Sequence, residues 1–77
     1  MVKVYSITDC SWCKKAKGYL NSVGVEYEDI NVQTDKAGRD ELKQLTNQGS
    51  VPVLNINGNI VIGFDKDKID EYLTLQN

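Results

Sequence analysis

Cys10-Ser11-Trp12-Cys13 contains both cysteines of this 77-residue chain, in C-x-x-C spacing. Two thiols placed this way can exchange bonds with an external disulfide, one attacking and the other resolving. Two other uses compete with that reading. A complete zinc site takes about four ligands, and the chain has no histidine and no third cysteine. Zinc is therefore left only as a metal shared between subunits. A structural disulfide closing so short a loop adds only about 2 kcal/mol in the chain-entropy model. Redox exchange fits the spacing best, and it requires no metal and no organic cofactor.

The neighbouring residues set the chemistry of the pair. Val2-Lys3-Val4-Tyr5-Ser6-Ile7 reads as a strand, and Ser11 to Val23 reads as a helix. Cys10 then stands at a helix N-terminus, where backbone N–H groups lack intrahelical partners and the macrodipole places partial positive charge. Both favour the thiolate. An ordinary thiol with pKa ~8.5 is about 3% ionised at pH 7, whereas one near ~6 would be about 90% ionised. The accompanying loss of intrinsic nucleophilicity returns roughly tenfold of that gain. Attack gains a few-fold, and the larger benefit comes when Cys10 is the leaving group of a mixed disulfide.

The helix has a face of its own. Cys13, Ala16, Leu20 and Val23 fall on one side at the 3.6-residue period. Cys13 sits at the inner end of that stripe and Cys10 at the exposed tip, which suits a resolving thiol inside and a nucleophile outside. Lys14, Lys15 and Lys17 lie mostly on the other faces and read as a solvated surface, with substrate binding as the competing reading. Gly24 caps the helix. The segment Val25–Val32 reads as an edge strand whose acidic residues deter pairing with other chains. With the first strand and helix it makes a βαβ unit with parallel strands. Asp35 caps a second helix running to about Asn47, with Leu42 and Leu45 facing inward and Gly38 weakening it.

Val51-Pro52-Val53-Leu54-Asn55-Ile56 reads as a third strand. Asn57-Gly58 is the preferred pair for a type I′ hairpin. Ile60-Val61-Ile62 returns antiparallel, Gly63 closes the strand, and Asp65 caps a last helix with Ile69, Tyr72 and Leu73 inward. The order is β-α-β-α-β-β-α in a single domain over residues 1–77. Pro52 has no N–H and must sit at a strand start or a free edge. By itself it reads as an ordinary trans residue.

Composition narrows the function classes. The formal net charge is −2, and no basic patch beyond Lys14, Lys15 and Lys17 is visible, which argues against nucleic acid. There is no long apolar run for a membrane span. Met1-Val2-Lys3 leads straight into a strand without a signal-peptide core. The expected location is the cytoplasm, where thiols are kept reduced and the pair is free to cycle. The expected state is a monomer.

The element order, the C-x-x-C at the first strand–helix junction and a Val-Pro opening the third strand together resemble the thioredoxin fold in its smallest form. Within that superfamily the chain is most similar to glutaredoxins and glutaredoxin-like redoxins. The match rests on Cys10-Ser11-Trp12-Cys13, on Ser50-Val51-Pro52 at the family's T-V-P, and on Gly63-Phe64-Asp65 at its G-G-x-D segment. The resemblance implies an α/β fold with a four-stranded mixed sheet and a dithiol–disulfide oxidoreductase that reduces protein or glutathione-mixed disulfides. Cys10 is then the nucleophile and Cys13 the resolving thiol. Pro52 is implied to be cis and to lie against the C-x-x-C. The Val51 backbone is implied to pair with a thiol substrate as a short antiparallel strand would. Trp12, Gly63 and Phe64 line the implied groove, and Asp65 holds the γ-glutamyl end of glutathione.

Departures from the family pattern bear on the source of electrons. Glutathione-using members carry Lys or Arg three residues before the first cysteine, and often a basic residue just before T-V-P. Ile7 and Gly49 stand there. Each missing charge-assisted hydrogen bond weakens glutathione by about 1.5–3 kcal/mol. Ile62 replaces the first glycine of G-G and narrows the room for a ligand backbone. The expected reductant is glutathione as co-substrate or thioredoxin reductase, with ribonucleotide reductase as the target in the second case. Ser11 replaces a common proline and restores a backbone N–H near Cys10. Relatives lacking that proline sometimes bridge an iron–sulfur cluster between two subunits with glutathione. That is the alternative, non-enzymatic reading, and Ile7 and Gly49 count against it.

Overall fold

The elements form where apolar periodicity and capping residues dictate. The computed structural model describes residues 1–74, in the order β1 (Val2–Ser6), α1 (Ser11–Ser22), β2 (Glu28–Asn31), α2 (Lys36–Thr46), β3 (Val53–Ile56), β4 (Asn59–Ile62) and α3 (Lys66–Thr74). The strands form one sheet in the order β2-β1-β3-β4. The β1–β2 pair is parallel, because the α1 crossover returns the chain in the same direction. β3 runs antiparallel to β1 and to β4. The fold is thus α/β with a four-stranded mixed sheet. Asn57 and Gly58 both have positive φ, 52° and 96°, as the tight β3–β4 turn demands.

Alternation along the strands splits the core in two. Val2, Val4, Leu54, Ile56 and Val61 face α1 and α3, where they meet Ala16, Leu20 and Ile69. Tyr5, Ile30, Val32 and Val53 face α2 and meet Leu42. Each fully buried aliphatic side chain contributes about 1.5–3 kcal/mol relative to exposure, so the first layer, with more such residues, carries most of the burial.

The helix ends are built from their own residues. At the end of α1, Val23 is the C-cap and Gly24 takes φ 74° one position further on. Gly24 N–H donates to the Asn21 carbonyl and Val25 N–H to that of Leu20, which satisfies two terminal acceptors. The Asp35 carboxylate accepts from Gly38 N–H at 2.9 Å and starts α2.

Several expectations are corrected. Val23 lies beyond the last helical turn and is exposed, so the inner stripe of α1 ends at Leu20. Leu45 is 41% exposed against 2% for Leu42. The inward line of α2 runs Gly38, Leu42, Thr46 at i, i+4 spacing, and Leu45 falls off it. Gly38 does more than weaken a helix: a Cβ there would stand 2.3 Å from Ile30 Cγ2, so its absence lets α2 seat on β2. β2 begins at Glu28, because Val25–Tyr27 leave the α1 turn before pairing starts. β3 begins at Val53, and the Val51–Pro52 bond that precedes it is cis. β1 ends at Ser6 and β4 starts at Asn59.

Candidate active site

Cys10 is the N-cap of α1, with extended backbone angles, and its sulfur accepts from Cys13 N–H at 3.2 Å. A side chain at the N-cap reaches the N–H two or three residues on. The donor is therefore Cys13, and not Ser11 as the serine substitution suggests. The two cysteines are joined in a disulfide, with Cα atoms 5.2 Å apart. Cys13 is wholly buried while Cys10 is partly exposed, which is the asymmetry expected of an entry sulfur and an inner one. No acidic residue lies in the first turn of α1 to offset the positive end of the dipole.

The loop before Cys10 is held from the side. Thr8 N–H donates to Gln33 Oε1 at 3.1 Å, and Asn31 Nδ2 donates to the Thr8 hydroxyl at 3.1 Å. Asp9 takes φ 58° at the bend, a conformation in which Asp is among the tolerated residues. Neither Asn31 nor Gln33 stands out in the sequence, since their role depends on β2 lying beside β1.

A groove of about 270 Å³ is lined by Trp12, which stands between the two cysteines in the chain, and by Val51, Pro52, Gly63 and Phe64. These residues come from α1, the α2–β3 loop and the β4–α3 loop. Gly63 N–H donates to the Pro52 carbonyl at 2.8 Å and ties the last two together. Gly63 has φ 82°, which a residue without Cβ adopts freely. Trp12 forms one wall, 56% exposed, with its ring 6.5 Å from that of Phe64. Lys15 Nζ lies 4.4 Å over the Trp12 ring, so this lysine stacks on the wall. Lys17 reaches Asp29 on β2 at 3.0 Å and is half-buried, whereas Lys14 and Lys15 stay exposed, in keeping with the solvated role read from the sequence.

Asp65 stands at the start of α3 rather than in the lining of the groove. Its carboxylate accepts from Lys68 N–H at 3.2 Å and its carbonyl from Ile69 N–H at 2.9 Å. Ile62 is exposed and shares its strand face with Ile60, which packs on the α2 side. It therefore does not narrow the groove.

Two tyrosine–carboxylate pairs were not legible in the sequence. The Tyr5 hydroxyl donates to Glu41, and Lys3 joins that carboxylate at 3.3 Å. Burial first, then the bond to Glu41, pushes Tyr5 far above the usual phenol range. The Tyr5 bond, followed by Lys3, holds Glu41 below the usual carboxylate range despite some opposing burial. The Tyr19 hydroxyl donates to Asp70, whose other oxygen accepts from Lys66 at 3.0 Å. That bond raises Tyr19 and lowers Asp70. Of these partners, only the i, i+4 spacing of Lys66 and Asp70 leaves a trace in the sequence.

A cysteine pair at a helix N-terminus, over a mixed sheet, with the intervening Trp12 sharing a groove with a cis-proline loop, defines a small thioredoxin-fold redox protein. The Glutaredoxin family model matches residues 2–61, and the chain belongs to that family. It is similar to an uncharacterized glutaredoxin-like 8.6 kDa protein in the rubredoxin operon of Clostridium pasteurianum, 47% identical over 73 residues that cover 95% of this chain and 97% of that one. Among solved structures, a thioredoxin-like protein superposes with TM-score 0.88 at 32% identity, covering 94% and 99% of the two chains. A buckwheat glutaredoxin–glutathione complex superposes with TM-score 0.75 at 28% identity, covering 95% and 72%.

No helix among the described residues is long and apolar enough to cross a membrane.

Proposed function

We propose that the protein is a dithiol–disulfide oxidoreductase acting on disulfide-bonded protein substrates. The observation that carries this reading is the Cys10 sulfur at the mouth of α1, accepting from Cys13 N–H at 3.2 Å beside the Trp12–Phe64 groove. In the reduced protein the Cys10 thiolate attacks a substrate disulfide. One substrate sulfur leaves as a thiolate and a mixed disulfide forms. The Cys13 thiolate then attacks the Cys10 sulfur. The Cys10–Cys13 disulfide forms, the second substrate sulfur departs, and two electrons have passed to the substrate. The bond present between Cys10 and Cys13 corresponds to the end of this sequence.

The groove supports docking of the substrate through the Val51 backbone, with Trp12 and Phe64 as apolar walls and Asp65 near one end. The scheme runs in a reducing compartment, the cytoplasm, and needs an external reductant to restore the dithiol. Ile7 and Gly49 place no cation for the glutathione carboxylates, and this favours thioredoxin reductase as the donor. In a coupled assay we expect a higher rate with thioredoxin reductase than with glutathione plus glutathione reductase. A dominant glutathione rate reverses the assignment of the donor and leaves the dithiol chemistry in place. Cys13→Ser is expected to accumulate mixed disulfides with protein substrates, visible by mass spectrometry. Undiminished turnover of protein disulfides by that variant would refute the two-step scheme.

A further inference from the structure

We infer that Tyr19, which does not line the groove, is a positioning residue that sets its width and selects disulfides with a bulky apolar flank. The inference rests on the docking role proposed for the groove. Its basis is a chain of contacts. The Tyr19 and Phe64 rings are 6.0 Å apart at 58°, and Phe64 faces Trp12 across 6.5 Å. Phe64 lies in the loop between β4 and α3, next to Gly63, and one side of its ring packs against the core beneath α1 and α3. The tilted contact with Tyr19 adds an aromatic interaction that orients the ring on its remaining side.

Tyr19 is itself held from two sides. Its hydroxyl donates to Asp70 on α3, and Lys66 Nζ lies 5.3 Å over its ring. Lys66 also closes on Asp70 at 3.0 Å. The phenol is thus braced against the helix that follows the Phe64 loop, and it carries the spacing of α1 and α3 to the groove wall. Gly63 is meanwhile tied to Pro52 at 2.8 Å. One side of the groove is thereby fixed by backbone, and the other is set by core packing together with the aromatic contact to Tyr19.

The test compares wild type, Tyr19→Phe and Tyr19→Leu, with dithiothreitol as reductant. The substrates are a peptide disulfide flanked by leucines and the small bis(2-hydroxyethyl) disulfide. For the peptide, KM should rise about two- to tenfold in Tyr19→Leu, the span expected for a lost aromatic pair, with kcat held. Tyr19→Phe keeps the ring and loses only the bond to Asp70, so its KM should fall between the other two. The small disulfide, which does not fill the groove, should react equally with all three. The chain has a single tryptophan, so acrylamide quenching reads the groove wall directly and should be stronger in Tyr19→Leu. An unchanged peptide KM in Tyr19→Leu overturns the inference, as does an equal loss of rate with both disulfides. If wild type reduces neither disulfide, the proposed function falls. The positioning role is then decided by quenching alone, and unchanged quenching rejects it.

Discussion

Each face of the sheet sets a tyrosine, a carboxylate and a lysine together, for different ends. On the α2 face, Tyr5 is fully buried and its hydroxyl reaches Glu41, with Lys3 beside it. On the α1–α3 face, Tyr19 is only partly buried and its hydroxyl reaches Asp70, with Lys66 beside it. The first trio fastens a helix onto a strand. The second braces two helices whose ends border the groove. Burial separates the roles: a buried phenol contributes mainly to stability, whereas one near the surface, in contact with a groove wall, can influence binding.

The largest expected effect falls on the face that carries the dithiol. Cys10→Ser should abolish disulfide exchange while far-UV circular dichroism stays that of a folded protein; residual turnover would remove Cys10 as the nucleophile. Core truncations come next. Leu20→Ala and Leu42→Ala should each cost about 2–5 kcal/mol by denaturant unfolding. Leu20 lies on the helix that bears the cysteines, so its loss should also lower exchange per folded molecule. Leu42→Ala should leave that quantity unchanged, and an equal drop in both would erase the distinction between the faces.

A smaller and less intuitive effect concerns Gly38. Alanine favours a helix over glycine by about 1 kcal/mol, yet the added methyl meets the β-branched Ile30 at 2.3 Å. Overpacking of this kind costs about 1–3 kcal/mol, so Gly38→Ala should lower the melting temperature. A raised melting temperature would show that α2 can shift away from β2.

The smallest effect is tied to pH. Glu41 has a folded pKa below its ordinary value of 4.5, chiefly through the Tyr5 bond. Its folded state therefore holds the proton less readily than the unfolded chain. The contribution to stability is present above about pH 4.5 and is lost as the pH falls through the folded pKa. Tyr5→Phe should flatten the fall of stability below pH 4.5. The effect should stay near or below about 1 kcal/mol, because the carboxylate is partly solvated. An acid limb identical to that of wild type would mean that Glu41 does not depend on Tyr5. The raised Tyr5 acts in the opposite sense: its contribution is present below pH 10 and fades as the pH rises beyond it.

Much of this arrangement could be read before folding. Cys10 and Cys13, the element order, the Asn57-Gly58 turn and the Asp35 and Asp65 caps are local signals, each decided by residues within a few positions of one another. Trp12, Phe64 and Pro52 could be brought together only through resemblance to a family, since nothing local places them side by side. Glu41 with Tyr5, and Asp70 with Tyr19, escaped because they are 36 and 51 residues apart in sequence. Leu45 was misplaced because the inward line of α2 is set by the close approach at Gly38, and an apolar pattern does not reveal that approach.

The Gly63–Pro52 hydrogen bond has a practical corollary for chimeras. A transplant of the 48–52 segment into another scaffold would leave its carbonyl without the glycine that orients it. Exchanging specificity between members of this family therefore calls for moving both loops as one cassette, and swapping either alone should yield a groove that belongs to neither parent.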